Sequence, residues 1–333
     1  MKLLRLKSPS LKSLGMLFVA AASLAAMPAP LLAQTGFPNK SVRLIVPFPA
    51  GGSADFLTRV VGEKLSLKWG QPVVVDNRAG AGGNIGAEAV YRADPDGYVL
   101  LSSPPGPLSI NHNLYKQLPF EPAKFVPITV LAIVPNVISV KVDLPVNSVK
   151  ELIAYAKANP GKVVYASQGN GSTSHLSAQM FATMAGLDLV HVPYKGEGPA
   201  LVDIVAGRVD MFVGNIAAGL RFQQAGKLKF LAVANTRRSP VALEVPTATE
   251  AGLPGFVANA WFALVAPPGT PNVIAQQINA AAVEALKLPD VQKRFLEQGA
   301  EPVGNSTAEM AAFVKDEMAR WQGVIKSANV TLQ

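Results

Sequence analysis

The chain has 333 residues, of which 30 are basic and 22 acidic, so its formal net charge is +8, and it contains no cysteine. The lack of cysteine excludes disulfide bonds, thiolate chemistry and a lipidated N-terminal cysteine. The basic residues are scattered along the chain and form neither a patch nor a known module, which argues against binding to nucleic acid.

The N-terminus has the pattern of a secretory signal peptide. The first twelve residues carry four basic side chains and no acid, and an apolar stretch of 13 residues follows from Leu14 to Ala26. This stretch is too short to anchor the chain in a bilayer, and we predict cleavage after Ala33, with an uncut signal anchor as the alternative. Removal of residues 1–33 leaves 26 basic and 22 acidic residues, a formal charge of +4.

An α/β fold is predicted for the rest of the chain because short apolar runs alternate with helical patterns. In the first block, turns rich in glycine follow the first two strands and a turn rich in proline follows the third. The predicted strands are 42–46, 73–76 and 98–102, and the predicted helices are 54–67 and 85–93.

A second block of the same kind starts near Val140. Ser148 and Glu151 have the spacing of a capping box, which predicts the start of a helix there. The other predicted helices are 175–185, closed by Gly186, and 199–206, closed by Gly207, and the predicted strands are 163–167, 189–192, 210–213 and 229–234.

The last block is predicted to contain a strand at 261–266 and two helices. Thr270 is expected to cap the first helix, with Pro271 at its first position, and Ser306 with Glu309 forms a capping box for the last helix, which ends near Ser327. No strand follows that helix, so it needs an earlier lobe to pack on. We therefore predict two α/β lobes, one formed by residues 34–140 and 237–333 and the other, inserted in it, by residues 141–236.

The first candidate site is the loop 47–55, because ligands of open α/β sheets bind where strands end and helices begin. Gly51 and Gly52 let the backbone approach a ligand closely, Ser53 adds a hydroxyl, and Phe48 adds an apolar wall. Free amides at the following helix start can hold an anion. An ordinary turn capped by Ser53 or Asp55 is an equally weighted alternative.

The second candidate is the loop 167–175, which is rich in amides and hydroxyls and has no acid. This composition suits an uncharged cradle for a carboxylate, although a helix cap with a flexible turn has the same composition. His175 is expected to be an ordinary helix residue and not a ligand or a base.

Two further loops are weaker candidates. Residues 80–86 resemble a dinucleotide fingerprint, but Ile85 stands where the third glycine is needed, so a structural turn is predicted. The loop that begins at Ser103 carries three prolines, whose fixed dihedrals stiffen it. It is interpreted either as a rigid wall of a pocket or as a turn.

Motifs of catalysis are missing from the sequence. There is no phosphate-binding loop and no nucleophile elbow. The three histidines, His112, His175 and His191, have no metal-ligand spacing. We therefore predict no catalytic residues, no metal and no cofactor.

Eight segments carry a family pattern: PFPAGGSAD (47–55), VDNRAGAGGNIGAEAV (75–90), DPDGY (94–98), GNGSTSHL (169–176), VPYKGEGPALVDIVAGRVD (192–210), GKLKFLAVA (226–234), VPTATEAGLPGF (245–256) and APPGTP (266–271). In this order they resemble the Bug family, the solute receptors of tripartite tricarboxylate transporters. The resemblance covers nearly the whole chain after the signal peptide.

The resemblance implies a two-lobed, type II-like periplasmic binding protein with a hinge, which binds carboxylates and delivers them to membrane subunits of the transporter. It implies a monomer and no enzymatic activity. It also implies that backbone groups of the first loop and hydroxyls of the second lobe hold the ligand's carboxylate. By position these residues are Ala50, Gly51, Gly52, Ser53 and Asp55 in the first lobe and Gly171, Ser172, Thr173 and Ser174 in the second.

Two departures from the family pattern bear on the ligand. The loop after Phe212 usually carries an Asp-Asn pair and a Pro-Ser pair, and here only Asn215 is available to replace them. The loop that begins at Ser103 is rich in proline where Asn and Thr are usual. Both changes predict a more apolar cleft, which suits a ligand with one anchored carboxylate and an apolar or aromatic body.

Two alternative functions remain at this point. The same fold and ligand would serve a sensory receptor that docks to a signalling partner, and the sequence does not separate this function from transport. A periplasmic hydrolase that uses a loop serine with His175 is a remote alternative, because no base and orienting acid are placed beside a serine.

Overall fold

The structure of the chain is a computed structural model, which describes residues 36–327. The signal peptide predicted at residues 1–33 lies outside the described residues. Within the described range, none of the helices combines the length and the apolar character that crossing a membrane requires.

The described residues form ten strands and nine α-helices. The strands are β1 (Val42–Val46), β2 (Val73–Asn77), β3 (Val99–Ser103), β4 (Val126–Lys141), β5 (Val164–Ser167), β6 (Val190–Pro193), β7 (Met211–Asn215), β8 (Leu228–Val233), β9 (Asn259–Ala266) and β10 (Glu301–Pro302). The helices are α1 (Ser53–Trp69), α2 (Asn84–Tyr91), α3 (Val149–Ala158), α4 (Thr173–Ala185), α5 (Glu197–Val205), α6 (Ile216–Gln224), α7 (Asn272–Lys287), α8 (Pro289–Leu296) and α9 (Thr307–Ser327).

The capping boxes predicted from the sequence are confirmed. Ser148 Oγ accepts from the amide of Glu151 at 3.1 Å at the start of α3, and Ser306 Oγ accepts from the amide of Glu309 at 3.2 Å before α9. Each side chain satisfies an amide that the first turn of a helix leaves without a partner.

The predicted cap at Thr270 is wrong. Pro271 has an extended ψ of 138°, so α7 begins at Asn272 with Pro271 as its N-cap. The hydroxyl of Thr270 is turned into the preceding turn, where it donates to the carbonyl of Pro267 at 2.9 Å. Strand β4 and helices α6 and α8 were not predicted from the sequence.

The chain forms two lobes that share the 16-residue strand β4. Its first part pairs antiparallel with β9 in a sheet ordered β2-β1-β3-β9-β4, which β10 extends. Its second part pairs with both β7 and β8 in a second sheet, where β5 and β6 continue beyond β7. One continuous strand therefore connects the two sheets.

Each lobe has its own apolar core. In the first lobe, Ile45, Leu101 and Trp261 belong to one buried cluster, and in the second lobe Ile138, Tyr165 and Phe181 belong to another. The predicted division of the chain at residues 141 and 236 stays a prediction. Residues 248, 253, 256 and 258 pack with the core of the second lobe, which favours a return crossing nearer to residue 258.

The loops that follow the strands bring the two lobes into contact. A Cβ on Gly171, in the second lobe, would lie 2.8 Å from Oδ1 of Asn111 in the first lobe. Behind these loops Leu176 of α4 packs in a cluster with Trp321 and Ile325 of α9. The starts of α1, α5 and α6 lie in the cleft between the lobes, which contains a cavity of about 330 Å³ lined by residues of α1 and α6.

Candidate functional site

The first-lobe wall of the candidate site is the turn between β1 and α1. Gly51 has a φ of +87°, a conformation that side-chain-bearing residues rarely adopt, and Gly52 is the N-cap of α1 without any side-chain cap. The backbone therefore presents the start of a 17-residue helix directly to the cleft. Positive ends of helix dipoles and their free amides favour anions.

Asp55 stabilises this turn from inside. Its carboxylate accepts from the amide of Gly51 at 3.0 Å and from Nε of Arg59 at 2.9 Å. Burial opposes ionisation, but the hydrogen bonds from Arg59, Gly51 and Asn77 together lower the pKa of Asp55 below its ordinary value. These contacts support the capping interpretation that the sequence left open.

The position in front of α1 is filled by a carboxylate from the second lobe. Oε2 of Glu197 accepts from the amide of Ser53 at 2.9 Å and from Oγ of Ser53 at 3.0 Å. Oε1 of the same side chain accepts from Nε2 of Gln168 at 2.8 Å and from Nδ2 of Asn215. Four donors thus converge on the carboxylate of Glu197, two from Ser53 in the first lobe and one each from Gln168 and Asn215 in the second.

Glu197 is buried without a cation. Its residue is 6 % exposed, and it forms no ion pair with any residue of the described part of the chain. Burial raises the pKa of Glu197 above its ordinary value, and the hydrogen bonds from Ser53 and Asn215 act in the opposite direction. The carboxylate also lies in the first turn of α5, so the starts of two helices, α1 and α5, offset part of its desolvation.

Little space remains around this carboxylate. The cavity beside it has a volume of about 10 Å³ and is lined by Phe48, Pro49, Gly52, Ala54, Pro104, Gln168, Glu197, Asn215 and Phe262. This volume is close to the smallest that admits one water molecule. The lining is apolar apart from the side chains of Gln168, Glu197 and Asn215.

Two hydroxyls of the second candidate loop, those of Ser172 and Ser174, are engaged within the loop itself. Oγ of Ser172 donates to the carbonyl of Gly169 at 2.6 Å and accepts from the amide of His175 at 3.3 Å, which caps α4. Oγ of Ser174 accepts from the amide of Gln168 at 2.8 Å. These hydrogen bonds hold the loop in place, and the loop positions the side-chain amide of Gln168 against Glu197.

Two histidines of the second lobe, the buried His175 and the half-buried His191, are stacked on each other. The ring centroids of His175 and His191 lie 4.1 Å apart, and Oγ of Ser167 contacts Nε2 of His191 at 2.7 Å. Burial lowers the pKa of His175 to about 3, with a further contribution from His191, and burial lowers the pKa of His191 to about 4. Both rings are neutral at ordinary pH, which agrees with a packing role for His175.

The structure brings together some of the residues selected from the sequence. Phe48, Gly52 and Asn215 line the cavity, and Ser53 reaches its carboxylate. The other predicted residues do not line this cavity. Ala50 and Gly51 are exposed, Asp55 accepts a hydrogen bond within its own turn, and Ser103 donates to the carbonyl of Pro104. The second loop is formed by Gly171, Ser172, Thr173 and Ser174.

Sequence reasoning missed Gln168, Glu197 and Phe262. The sequence did contain a signal for Glu197. This residue follows a glycine, Gly196, at the start of a helix that comes after a strand, just as Ser53 follows Gly52. No cluster of three or more histidine or acidic side chains suited to a metal ion occurs among residues 36–327.

Comparison with known proteins gives the family of the chain. The family model described as "Tripartite tricarboxylate transporter family receptor" matches residues 57–330. Protein BugT of Bordetella pertussis is 40% identical over 319 residues, which cover 95% of this chain and 97% of BugT.

Solved structures agree in fold. The R. palustris protein Rpa4515, solved with adipate, superposes with a TM-score of 0.87 at 40% identity, over 89% of this chain and 99% of that one. MatC from Rhodopseudomonas palustris, solved with bound malate, superposes with a TM-score of 0.83 at 34% identity, over 87% of this chain and 100% of that one. The sequence-based assignment is confirmed, and the chain belongs to the tripartite tricarboxylate transporter receptors, the Bug family of periplasmic solute-binding proteins.

Proposed function

We propose that this chain is a periplasmic solute receptor that binds a small carboxylate between its lobes and delivers it to the membrane subunits of a tripartite tricarboxylate transporter. The observation that carries the proposal is the set of donors at the start of α1. Three groups donate to the carboxylate of Glu197 in the cleft: the backbone amide of Ser53, its hydroxyl and the side-chain amide of Asn215. Relatives with adipate and with malate support the ligand class.

The donors belong to both lobes, which suits a mechanism of hinge closure. A carboxylate that binds first to α1 acquires the Asn215 and Gln168 donors only when the second lobe closes on it. Hydrogen bonds to charged groups contribute roughly 1.5–3 kcal/mol each. A few of them with some buried apolar surface are enough for micromolar affinity, which corresponds to about −8 kcal/mol.

The walls of the cleft favour a ligand with an apolar or aromatic body. Phe48, Pro104 and Phe262 form most of the lining away from the carboxylate donors. Citrate would place three carboxylates near a cavity whose charged lining, among the described residues, is one acid, Glu197. We therefore expect adipate or an aromatic acid to bind more tightly than citrate.

The remaining parts of the proposal follow from the family. We propose that the signal peptide is cleaved near Ala33, that the exported protein is a monomer, and that it is not an enzyme. The sensory alternative shares the fold and the cleft and differs only in its docking partner. The hydrolase alternative needs His175 as a base, but its ring is buried and its Nδ1 already accepts from the amide of Gly171 at 3.3 Å.

The experiment is a thermal shift of the exported protein against adipate, malate, glutamate, nicotinate, benzoate, terephthalate and citrate. A ligand at 100 times its Kd stabilises the folded state by about 2.7 kcal/mol. Ser53→Ala is expected to reduce the shift, whereas Ser66→Ala, a matched control at the far end of α1, is expected to leave it unchanged. The absence of a shift with every acid, with no retained ligand found after denaturation, would contradict the proposal.

A further inference from the structure

Glu197 occupies the position that the proposed function assigns to the ligand. Its carboxylate lies on the same donors, namely the amide and Oγ of Ser53 in the first lobe and Nδ2 of Asn215 in the second. Each of these N–H and O–H groups directs a hydrogen at Glu197, so a second carboxylate cannot occupy the same position while Glu197 holds it. A ligand carboxylate and Glu197 therefore exclude each other from this position.

The volume of the cavity beside Glu197 leads to the same conclusion for these donors. The cavity beside Glu197 measures about 10 Å³, which is enough for one water molecule at most. A dicarboxylate such as adipate or malate does not fit beside a seated Glu197. A ligand carboxylate consequently reaches these donors only when the lobes separate at this point and the side chain of Glu197 leaves α1.

From these two observations we propose that Glu197 is a tethered competitor, which sets the affinity of the receptor for carboxylates by holding their donors until a ligand displaces it. The inference rests on the proposed function of the cleft. When only a fraction of the molecules is competent to bind, the apparent Kd is the intrinsic Kd divided by that fraction. Displacement has the same free-energy cost for every carboxylate, so it lowers all their affinities by the same factor. Only ligands that make contacts beyond the carboxylate donors then bind at low concentration.

Contacts around Glu197 show why the seated arrangement predominates. Its carboxylate accepts from four donors and so leaves none of them without a partner. No lysine or arginine of the described residues holds it as an ion pair, so its release to water is opposed by these neutral donors and by the starts of α1 and α5. The side chain is held firmly enough to compete and yet remains displaceable.

The test measures the Kd for adipate, malate, benzoate and glutamate by calorimetry with the wild-type protein, Glu197→Ala and Glu197→Gln. Removing the competitor is expected to tighten binding of adipate, malate and benzoate at least tenfold in Glu197→Ala. Glu197→Gln keeps one acceptor oxygen and the size of the side chain, so it is expected to give a smaller gain. Glu244→Ala, which removes an exposed acid outside the cleft, is the charge control and is expected to bind as the wild type does.

Different failures have different meanings in this experiment. If the wild type binds carboxylates and Glu197→Ala binds them equally or more weakly, the competitor role is wrong while the proposed function stands. A loss confined to glutamate would show that Glu197 is instead a ligand contact for an ammonium group. If neither protein binds any acid although both show a cooperative thermal transition, the proposed function is wrong, and this inference is wrong with it.

Discussion

Gly196 and Pro49 face each other across the cleft so closely that a Cβ on Gly196 would lie 2.8 Å from Cδ of Pro49. Gly196 also has a φ of +140°, which side-chain-bearing residues rarely adopt. It is the N-cap of α5 and precedes Glu197 directly. Backbone conformation and lobe contact therefore both require glycine at this position.

Gly196→Ala is expected to tighten binding of adipate several-fold, because the added methyl group keeps Pro49 and the start of α5 apart and so disfavours the arrangement in which Glu197 holds the donors of the ligand. The measurement is the Kd for adipate of the variant and the wild type. Gly198→Ala is the matched control two residues away, since a Cβ there meets no atom within 4 Å. Gly198 lies inside α5, and alanine stabilises a helix interior by roughly 1 kcal/mol relative to glycine. Equal binding by both variants would contradict the close-approach argument.

Glu317 anchors the C-terminal helix α9 to the first lobe. Its Oε2 accepts from the indole Nε1 of Trp261 at 2.7 Å and of Trp321 at 3.0 Å, and Arg320 donates to both of its oxygens. Glu317→Ala leaves two buried indole N–H groups without an acceptor, and each such group costs about 1–3 kcal/mol. We expect the free energy of unfolding in urea to fall by about 2–5 kcal/mol.

The control for this prediction is the neighbouring acid. Asp316 is exposed on the same helix, and its replacement by alanine is expected to change the free energy of unfolding by about 0.5 kcal/mol or less. A similar loss in both variants would mean that the general charge of α9, and not the indole contacts, stabilises its packing.

Asp55 provides a test of whether the first loop is preorganised. Asp55→Ala frees the amide of Gly51 and the side chain of Arg59, and it removes an acid from the first turn of α1. We expect a loss of about 1–2 kcal/mol in the free energy of unfolding, the usual range for a lost cap. Asp55→Asn keeps an acceptor for Gly51 and should lose less. An unchanged stability with a lost affinity for adipate would instead make Asp55 a ligand contact.

Much of the fold could be predicted because local signals determine it. Strand β1 and the capping boxes at Ser148 and Ser306 were predicted where the structure has them, since each depends on residues close in sequence. Strand β4 was missed because it contains Pro127 and Pro135, which argue against a long strand. Its identity depends on pairing with β9, β7 and β8, which no local pattern reveals.

The candidate site was only partly predictable for the same reason. Loops at the carboxyl ends of strands were the right places to look, and this rule selected Ser53, whereas Asn215 was selected through the family resemblance. Glu197 lies 144 residues from Ser53 in the sequence, and their contact depends on how the two lobes meet. The hydroxyls of Ser172 and Ser174 looked available in the sequence, but the loop uses them for its own turns.

The stacked pair His175 and His191 makes the second lobe sensitive to acid. Burial lowers their pKa values to about 3 and about 4, whereas an unfolded chain binds these protons near pH 6.5. Between pH 6.5 and 4 the unfolded state therefore binds more protons than the folded state, and stability falls as the pH falls. Each unit of pKa difference corresponds to about 1.36 kcal/mol, so the pair accounts for a loss of a few kcal/mol.

The double variant His175→Phe, His191→Phe keeps two flat rings on Tyr165 and removes both titrating groups. It loses the contacts to the Gly171 amide and to Ser167, so its stability at pH 7 is expected to be lower. Its free energy of unfolding should nevertheless change less between pH 6.5 and 4 than that of the wild type, as measured in urea at several pH values. Parallel pH profiles for the two proteins would show that the histidines are not neutral in the fold, because only groups whose pKa values differ between the folded and unfolded states contribute to the slope.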